Sequence, residues 1–208
     1  MIKLARRMIV GALLMLPSIV PAADAADVGV IKGTITVNGK PTADAVVSVE
    51  SVSAAQIKAR MAVLKAQKKV MDQKDLKFIP AVVAIMSGDT IEFPNHDKAW
   101  HNVLSRGGAN DFDLGLYPPG ETRSKKFAKP GVARILCNAH PDMEGFIVVK
   151  DHPFFSTPDS RGLYEIKDVP LGKVRVQVWY PNLDVHSDMV ELAHNGEVFA
   201  LNVDLKKR

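Results

Sequence analysis

Short apolar or alternating runs separated by turn residues make up most of the chain. The first is Val28–Val37. It leads into Asn38-Gly39, a dipeptide that strongly indicates a two-residue hairpin, with Ala45–Val52 as the expected partner strand. Further strand-like runs are Ala81–Met86, Thr90–Phe93, Val132–Cys137, Phe146–Val149, Leu163–Ile166, Val174–Tyr180 and Glu197–Val203. Short strands at this regular spacing, with Gly/Pro turns between them, predict an all-β sandwich or barrel.

One segment departs from this pattern and predicts a helix. Ser53–Val70 contains no Gly or Pro and is rich in Ala, Lys and Gln. Its residues Ile57, Met61 and Leu64 fall on one helical stripe, and most of its lysines lie elsewhere. Such a basic amphipathic helix could meet a membrane surface or an acidic partner. Packing on the sandwich, with the lysines in solvent, is the favoured interpretation.

The N-terminus predicts a secretory signal peptide, Met1–Ala25. A basic start is followed by the apolar run Met8–Val20, which is short for a bilayer span, and Ala23–Ala25 fits the small-residue cleavage pattern. A retained membrane anchor is the alternative, and Pro17 within the run argues against it. We therefore expect an exported, periplasmic protein with no stable membrane insertion after cleavage.

Composition narrows the classes of function. The chain is 47% hydrophobic and 24% charged, as is typical of globular proteins. Its formal net charge is +4 and falls when the basic signal is removed. This positive charge is too small to indicate a nucleic-acid partner. A single cysteine, Cys137, excludes an intramolecular disulfide framework and any Cys-rich zinc or iron–sulfur site. In an oxidising compartment, that thiol is expected to be buried or bound to something.

The candidate chemistry lies around this cysteine. Cys137, His140 and Met143 share one short loop between two apolar strands. A blue-copper site combines a thiolate, a thioether and two imidazoles, and His101, at the start of another predicted strand, is the candidate for the second imidazole. Thiolate and thioether are soft donors that favour Cu(I), whereas imidazole serves both oxidation states. Asn102 and Asn138 are the nearest candidates for hydrogen bonds that hold these ligands.

Other interpretations of these residues stay open. Each donor could be an ordinary core or turn residue, although that does not explain why the donors cluster. Zinc is the weaker metal alternative because thioethers rarely bind it. His96 lies in turn-like sequence and is a less favoured replacement for His101; we expect it to face solvent. The remaining histidines have no partner spacing and are expected at the surface: His152, His186 and His194.

The central part of the chain, Lys77–Asp151, resembles the plastocyanin-like cupredoxins, and the amicyanins most closely. The resemblance rests on Gly88-Asp89-Thr90, Asn95, His101-Asn102-Val103, Pro130-Gly131 and the compact Cys-x2-His-x2-Met spacing followed by Gly145. It implies one type 1 copper, cycling between Cu(I) and Cu(II), with the ligands His101, Cys137, His140 and Met143. It also implies an apolar patch around the imidazole of His140, where partners dock and to which Pro141, Met143 and Trp100 could contribute.

The flanks resemble a different family. Ile31–Thr34 and Ala45–Val49 resemble the first half of a carboxypeptidase regulatory-like, or transthyretin-like, sandwich, and Thr157–Tyr180 resembles the second half. We therefore expect a cupredoxin Greek-key sandwich inserted into a small transthyretin-like sandwich, with one amphipathic helix. The expected segments are a signal peptide 1–25, a first half 26–52, a helical linker 53–76, a copper-binding domain 77–151 and a second half 152–208. Exported cupredoxins with such flanks are often labelled methylamine-utilisation proteins.

The cupredoxin resemblance implies a carrier of single electrons between redox proteins, such as a c-type cytochrome or a periplasmic dehydrogenase. Copper sensing, storage or delivery by the same ligands is an alternative. A non-metal interaction module is another, suggested by the flanks. An enzyme is not expected, because the sequence offers no second histidine set for another copper centre. It also has no nucleophilic triad, phosphate loop or paired-carboxylate motif in a convincing context.

Overall fold

The structure, a computed structural model, describes residues 27–62, 64 and 68–207. The predicted signal peptide lies outside these described residues. Among them, no helix is long and apolar enough to cross a bilayer. The prediction of an all-β sandwich fold with one helix is confirmed for the described part of the chain.

The secondary-structure elements are, in chain order, β1 (Val28–Val37), β2 (Lys40–Pro41), β3 (Val46–Glu50), α1 (Ala54–Met61), β4 (Lys68–Val70), β5 (Asp72–Lys74), β6 (Lys77–Ile79), β7 (Val82–Met86), β8 (Thr90–Pro94), β9 (His101–Ser105), β10 (Phe112–Tyr117), β11 (Thr122–Lys126), β12 (Gly131–Leu136), β13 (Glu144–Lys150), β14 (Phe155–Ser156), β15 (Leu163–Pro170), β16 (Gly172–Trp179), β17 (His186–Leu192), β18 (Val198–Ala200) and β19 (Val203–Leu205).

Strands from the two ends of the chain share two sheets. In the first sheet, β1 pairs with β2 and β15 in antiparallel fashion and with β18 and β19 in parallel. The second sheet has the order β14-β3-β16-β17. Inward-facing residues of both sheets, including Ile31, Val47, Ile166, Val176 and Val190, form one buried apolar core. We call this pair of sheets the outer sandwich.

The Asn38-Gly39 turn is confirmed, but its predicted partner strand is wrong. Asn38 and Gly39 have φ values of 49° and 77°, as a two-residue hairpin of this type requires. The strand that returns from the turn is the short β2, which ends at Pro41. β3, within the predicted Ala45–Val52, instead pairs with β14 and β16 in the other sheet, because its buried valines complete the opposite face of the core.

The middle of the chain forms a second pair of sheets, which we call the inner sandwich. One has the order β10-β9-β12-β13-β7 and the other the order β11-β8-β4. Ile91, Phe93, Val103, Ile135 and Ile147 belong to the buried core between them. The predicted strands here lie within one or two residues of the observed ones, since each carries apolar side chains toward this core.

The helix prediction is correct only for the first part of Ser53–Val70. Ser53 caps α1 reciprocally with Gln56, and Ile57 packs against the core of the outer sandwich. The chain from Lys68 to Lys74 forms β4 and β5, so the predicted helical linker 53–76 contains two strands as well as a helix. Pairing of β4 with β8 places Met71 in the inner core, where its side chain has no exposed surface. The burial of Met71 outweighs the helix propensity of the neighbouring lysines.

Polar and apolar contacts join the two sandwiches. Phe146 of β13 lies edge-on to Trp179 of β16, with ring centroids 5.5 Å apart. Beside this contact, the Glu50 carboxylate accepts hydrogen bonds from Ser48 Oγ at 2.7 Å and from Lys150 Nζ at 2.5 Å. The imidazole of His152 lies 3.4 Å from the same carboxylate and is 4% exposed. The expectation that His152 is a surface residue is therefore wrong, because the partly buried Glu50 carboxylate provides it with a partner.

This carboxylate predicts a specific acid sensitivity. Hydrogen bonds from His152, Lys150 and Ser48 hold the pKa of Glu50 below its ordinary value of 4.5. The stabilisation that the Glu50 carboxylate gives to the folded protein is therefore complete above the ordinary pKa of 4.5. It is lost as the pH falls toward the lower pKa of the folded state. Glu50→Gln should lower the free energy of unfolding by about 1–2 kcal/mol at neutral pH. The difference from wild type should shrink between pH 5 and pH 3 in denaturant titrations.

The matched control is Glu191→Gln, which removes an exposed carboxylate 3.9 Å from Lys173. Because solvent screens that pair, its stability should stay within about 0.5 kcal/mol of wild type across the same range. Parallel acid profiles for Glu50→Gln and wild type would contradict the assignment.

Candidate metal site

The loop between β12 and β13 carries three of the predicted donor residues, Cys137, His140 and Met143. The Cys137 carbonyl accepts a hydrogen bond from the His140 N–H at 3.3 Å, and the His140 carbonyl accepts one from the Met143 N–H at 3.0 Å. The loop is thus two consecutive turns, each closed by a hydrogen bond between residues three apart.

His101 comes from a neighbouring strand. It is the first residue of β9, which lies beside β12 in the sheet through the register Leu136↔Leu104. Its side chain has no exposed surface. Cys137 follows β12 directly, and β9 runs antiparallel to β12. The end of β12 and the beginning of β9 therefore lie at the same end of the sheet.

The side chains of His101, Cys137 and His140 converge. The two Nδ1 atoms are 3.1 Å apart, and Cys137 Sγ lies 3.8 Å from Nδ1 of His101 and 3.7 Å from Nδ1 of His140. His101 and Cys137 are buried, and His140 is partly exposed. Within the described residues, this is the group of three or more His, Cys, Asp or Glu side chains arranged to hold a metal.

The fourth predicted donor, Met143, is buried with 1% of its surface exposed. It belongs to the same apolar core cluster as Cys137. Apolar packing in this cluster limits the access of solvent to Cys137, which strengthens electrostatic interactions at the site.

Asn102 links the strand that carries His101 to the loop that carries Cys137. Its backbone N–H points to Cys137 Sγ at 3.5 Å, and its Oδ1 accepts the backbone N–H of Asn138 at 3.4 Å. Its Nδ2 donates to Asp113 Oδ1 at 2.7 Å. Asn102 thus contacts the thiol through its backbone, and the Asn138 backbone bonds to the Asn102 side chain.

Asp97 is a functional residue that the sequence analysis missed. Its Oδ2 lies 3.0 Å from His101 Nε2, so the imidazole donates from Nε2 and keeps the Nδ1 lone pair toward Cys137 and His140. Hydrogen bonds from the backbone N–H of Leu76, from His101 and from the N–H of Lys98 lower the pKa of this carboxyl. The spacing of four residues between Asp97 and His101 was a signal for this contact. The segment that contains Asp97 was, however, interpreted only as a turn.

His96 does not take part in this group. Its side chain is largely exposed, and Nδ1 contacts both carboxylate oxygens of Asp72 at 3.0 Å. The expectation that it faces solvent is confirmed. His186 and His194 also lie away from the group, His186 bonded to Asp188 and His194 exposed.

The donor set fits a copper ion. Metal–nitrogen and metal–sulfur bonds of roughly 2.0–2.3 Å allow donors on one ion to lie up to about 4 Å apart, and all three measured separations are below that limit. Two imidazole lone pairs that face each other at 3.1 Å are favourable only with a cation or proton between them. One thiolate with two imidazoles is the in-plane set of a blue-copper centre, which a thioether completes.

The Asp97 carboxylate gives a testable effect on metal affinity. Asp97→Asn removes a charge-assisted hydrogen bond that fixes the orientation of His101, and such changes typically cost 10-fold to 100-fold in affinity. We expect a rise of about 30-fold in the dissociation constant for Cu(II), measured by competition with a chelator.

Asp72→Asn is the matched control, because it alters an imidazole–carboxylate contact of the same 3.0 Å length at the exposed His96. That variant should bind Cu(II) like wild type. Equal effects of the two substitutions would show that Asp97 does not act through His101.

Comparisons with known proteins identify a copper-binding family over the part of the chain that contains this site. Residues 65–150 match the family model of copper binding proteins, plastocyanin/azurin family. Plastocyanin of Ulva pertusa is 30% identical over 78 residues, which cover 33% of this chain and 80% of that protein. Amicyanin-alpha of Methylorubrum extorquens is 31% identical over 78 residues, which cover 36% of this chain and 66% of that protein.

Among solved structures, the Cu-containing nitrite reductase of Thermus scotoductus SA-01 is 28% identical, with a TM-score of 0.39 over 42% of this chain and 23% of that one. The match with plastocyanin spans most of that protein's length, and the family model covers all four predicted donors. The chain belongs to the plastocyanin/azurin family of copper-binding proteins.

Proposed function

We propose that this protein is a type 1 copper protein that carries single electrons between periplasmic redox partners. The observation that carries the proposal is the convergence of His101, Cys137 and His140, with nitrogen and sulfur atoms 3.1–3.8 Å apart. Met143, buried in the same core, would complete the ligand set. When bound, copper supplies a one-electron couple between Cu(I) and Cu(II).

Burial of the donors favours electron transfer over copper delivery. His101 and Cys137 are 0% and 3% exposed. His101 Nε2 donates a hydrogen bond to Asp97, and the Asn102 N–H donates one to Cys137 Sγ, so both donors are held in position. A site that is already arranged reorganises little when an electron arrives or leaves. A delivery protein would instead need ligands that reach the surface and release the ion readily.

The surface near the site supports exchange of electrons through His140. That imidazole is the partly exposed member of the group, and Pro141 beside it and Trp100 are exposed. A redox protein, such as a c-type cytochrome or a periplasmic dehydrogenase, would dock there. We also propose that the Met1–Ala25 signal directs export. We further propose that the protein has no enzymatic activity, because a carrier of electrons needs no substrate pocket beside its metal.

We further propose the domain division expected from the sequence. Residues 77–151 would be the copper-binding domain, inserted between two halves of a transthyretin-like sandwich, 26–52 and 152–208. The sharing of sheets between β1, β15, β18 and β19 supports this proposal. The segment 53–76 would then connect the two domains.

The test is copper reconstitution followed by redox cycling. Copper-loaded protein should absorb strongly in the red–orange and should bleach on reduction by ascorbate. It should also exchange electrons rapidly with a reduced c-type cytochrome. Slow exchange together with rapid loss of copper to a chelator would favour delivery, and a chain that binds no copper would overturn the proposal.

A further inference from the structure

Two adjacent residues in the middle part of the chain have a backbone conformation that is rare for one of them. Asp75 and Leu76 form the two-residue turn between β5 and β6, with φ values of 52° and 57°. Turns of this type commonly carry asparagine or aspartate followed by glycine, so Asp75 fits, whereas a leucine in the left-handed region is an outlier. The Leu76 side chain is 49% exposed, so its burial does not account for the conformation.

The N–H of Leu76 has a partner outside the hairpin. Lys74 and Lys77 pair with each other on either side of the turn, so the bond that closes the hairpin does not use the Leu76 N–H. That N–H donates to Asp97 Oδ2 at 2.8 Å. A residue in a disfavoured conformation persists where its surroundings determine it, and the bond to Asp97 is such a constraint.

The same carboxylate oxygen faces the metal site. Asp97 Oδ2 lies 3.0 Å from His101 Nε2, so a single oxygen accepts hydrogen bonds from the turn and from the imidazole. The other oxygen of Asp97 accepts the N–H of Lys98, the next residue in the chain, at 2.7 Å. The Leu76 N–H is therefore the contact that ties this carboxylate to a distant part of the backbone.

The hairpin that carries the turn is fixed to the segment that precedes Asp97. Gln73 of β5 is 0% exposed, and its Nε2 donates to the Pro94 carbonyl at 3.0 Å. Its backbone carbonyl accepts the His96 N–H at 3.0 Å. The hairpin and the chain that leads to His101 thus form one hydrogen-bonded unit, in which a displacement of the turn reaches the Asp97 carboxylate.

We infer that the turn between β5 and β6 is a positioning element for the proposed copper ligand His101. The Leu76 N–H holds the Asp97 carboxylate, and the carboxylate fixes the orientation of the imidazole. The inference rests on the proposed function, because it gives the turn a role in a site that binds copper. The coupling is reciprocal, so a metal ion that immobilises His101 also stabilises the hydrogen bond at the turn.

The test replaces the amide between Asp75 and Leu76 by an ester, which removes the Leu76 N–H and keeps the leucine side chain. The matched control is the same replacement between Gly162 and Leu163. It removes an N–H that donates to Asp159 Oδ1 at 2.9 Å in the outer sandwich, and Leu163 is 43% exposed. A second variant, Leu76→Gly, keeps the N–H and removes the side chain, at a φ that glycine adopts readily.

The first measurement uses NMR on the metal-free protein. In the ester variant, the Nε2 proton of His101 should exchange with water about fivefold faster than in wild type, because the Asp97 carboxylate that accepts it is less firmly held. The control ester and Leu76→Gly should match wild type. An unchanged exchange rate in the ester variant, or an equal increase in the control ester, would overturn the positioning role.

The second measurement uses Cu(I), which leaves the protein diamagnetic. Competition with a chelator should give a dissociation constant about fivefold higher for the ester variant than for wild type and the control ester. In wild type, Cu(I) should slow hydrogen exchange of the Leu76 N–H by a similar factor, because the coupling acts in both directions.

Equal Cu(I) affinities for the two esters would overturn the positioning role alone. A wild-type protein that binds no Cu(I) would instead overturn the proposed function. The exchange rate of the His101 proton still decides the role of the turn in that case, because that measurement does not require the metal.

Discussion

Replacement of Cys137 by serine is expected to abolish the strong red–orange absorption of the copper(II) protein. That absorption arises from charge transfer between a thiolate sulfur and Cu(II), and Cys137 is the only cysteine in the chain. Serine keeps nearly the same volume at a position that is 3% exposed, so the fold should persist. We expect complete loss of the band and at least about a 100-fold loss of Cu(II) affinity, since removal of a ligand exceeds removal of its supporting hydrogen bonds.

Met143→Leu is the matched control for this experiment. It removes a buried sulfur from the same loop but leaves the thiolate and both imidazoles in place. Because an axial thioether is a weak ligand, the band should shift while its intensity survives. A Cys137→Ser protein that keeps the band would show that copper binds elsewhere.

Gly33→Ala should lower the free energy of unfolding by more than Glu50→Gln does. A Cβ at this position would lie 1.9 Å from the carbonyl oxygen of Leu201. The contact is fixed on both sides, because the Leu201 N–H donates to the Lys32 carbonyl at 2.9 Å and the Thr34 N–H donates to Asn202 Oδ1 at 2.9 Å. Either β1 or the chain before β19 must move. We expect a loss of about 3 kcal/mol in the free energy of unfolding, measured by denaturant titration of the metal-free protein.

Gly108→Ala is the control for the steric argument. Gly108 is exposed, and a Cβ there would lie 3.6 Å from the Val132 carbonyl oxygen, which is ordinary contact. Its free energy of unfolding should change by no more than about 0.5 kcal/mol. Equal stabilities for the two variants would mean that Leu201 does not pack over β1 as described.

Local signals account for the parts of the site that were predictable. Cys137, His140 and Met143 share a loop, and their spacing by three becomes two hydrogen-bonded turns. His101 could be found because it begins a strand. The only local signal for the Asp97 contact was its spacing of four residues from His101, and the position of the carboxylate also depends on the turn between β5 and β6 at Leu76, which is distant in sequence.

The same contrast applies to the fold. Strands with inward apolar residues, such as β7 and β13, were predictable from their side chains alone. β11, Thr122–Lys126, has no apolar residue and forms a strand only because β8 offers its backbone hydrogen-bond partners. β4 looked helical for a similar reason, since its composition gives no sign of the pairing with β8 that determines its conformation.

Anomalous diffraction at the copper absorption edge, from crystals of the copper-loaded protein, would locate the ion among its donor atoms. We expect one copper ion bound by Nδ1 of His101, Nδ1 of His140 and Sγ of Cys137, with the Met143 thioether as a weaker ligand. Copper bound without Cys137, or side chains of His101 and His140 directed to different ions, would contradict it.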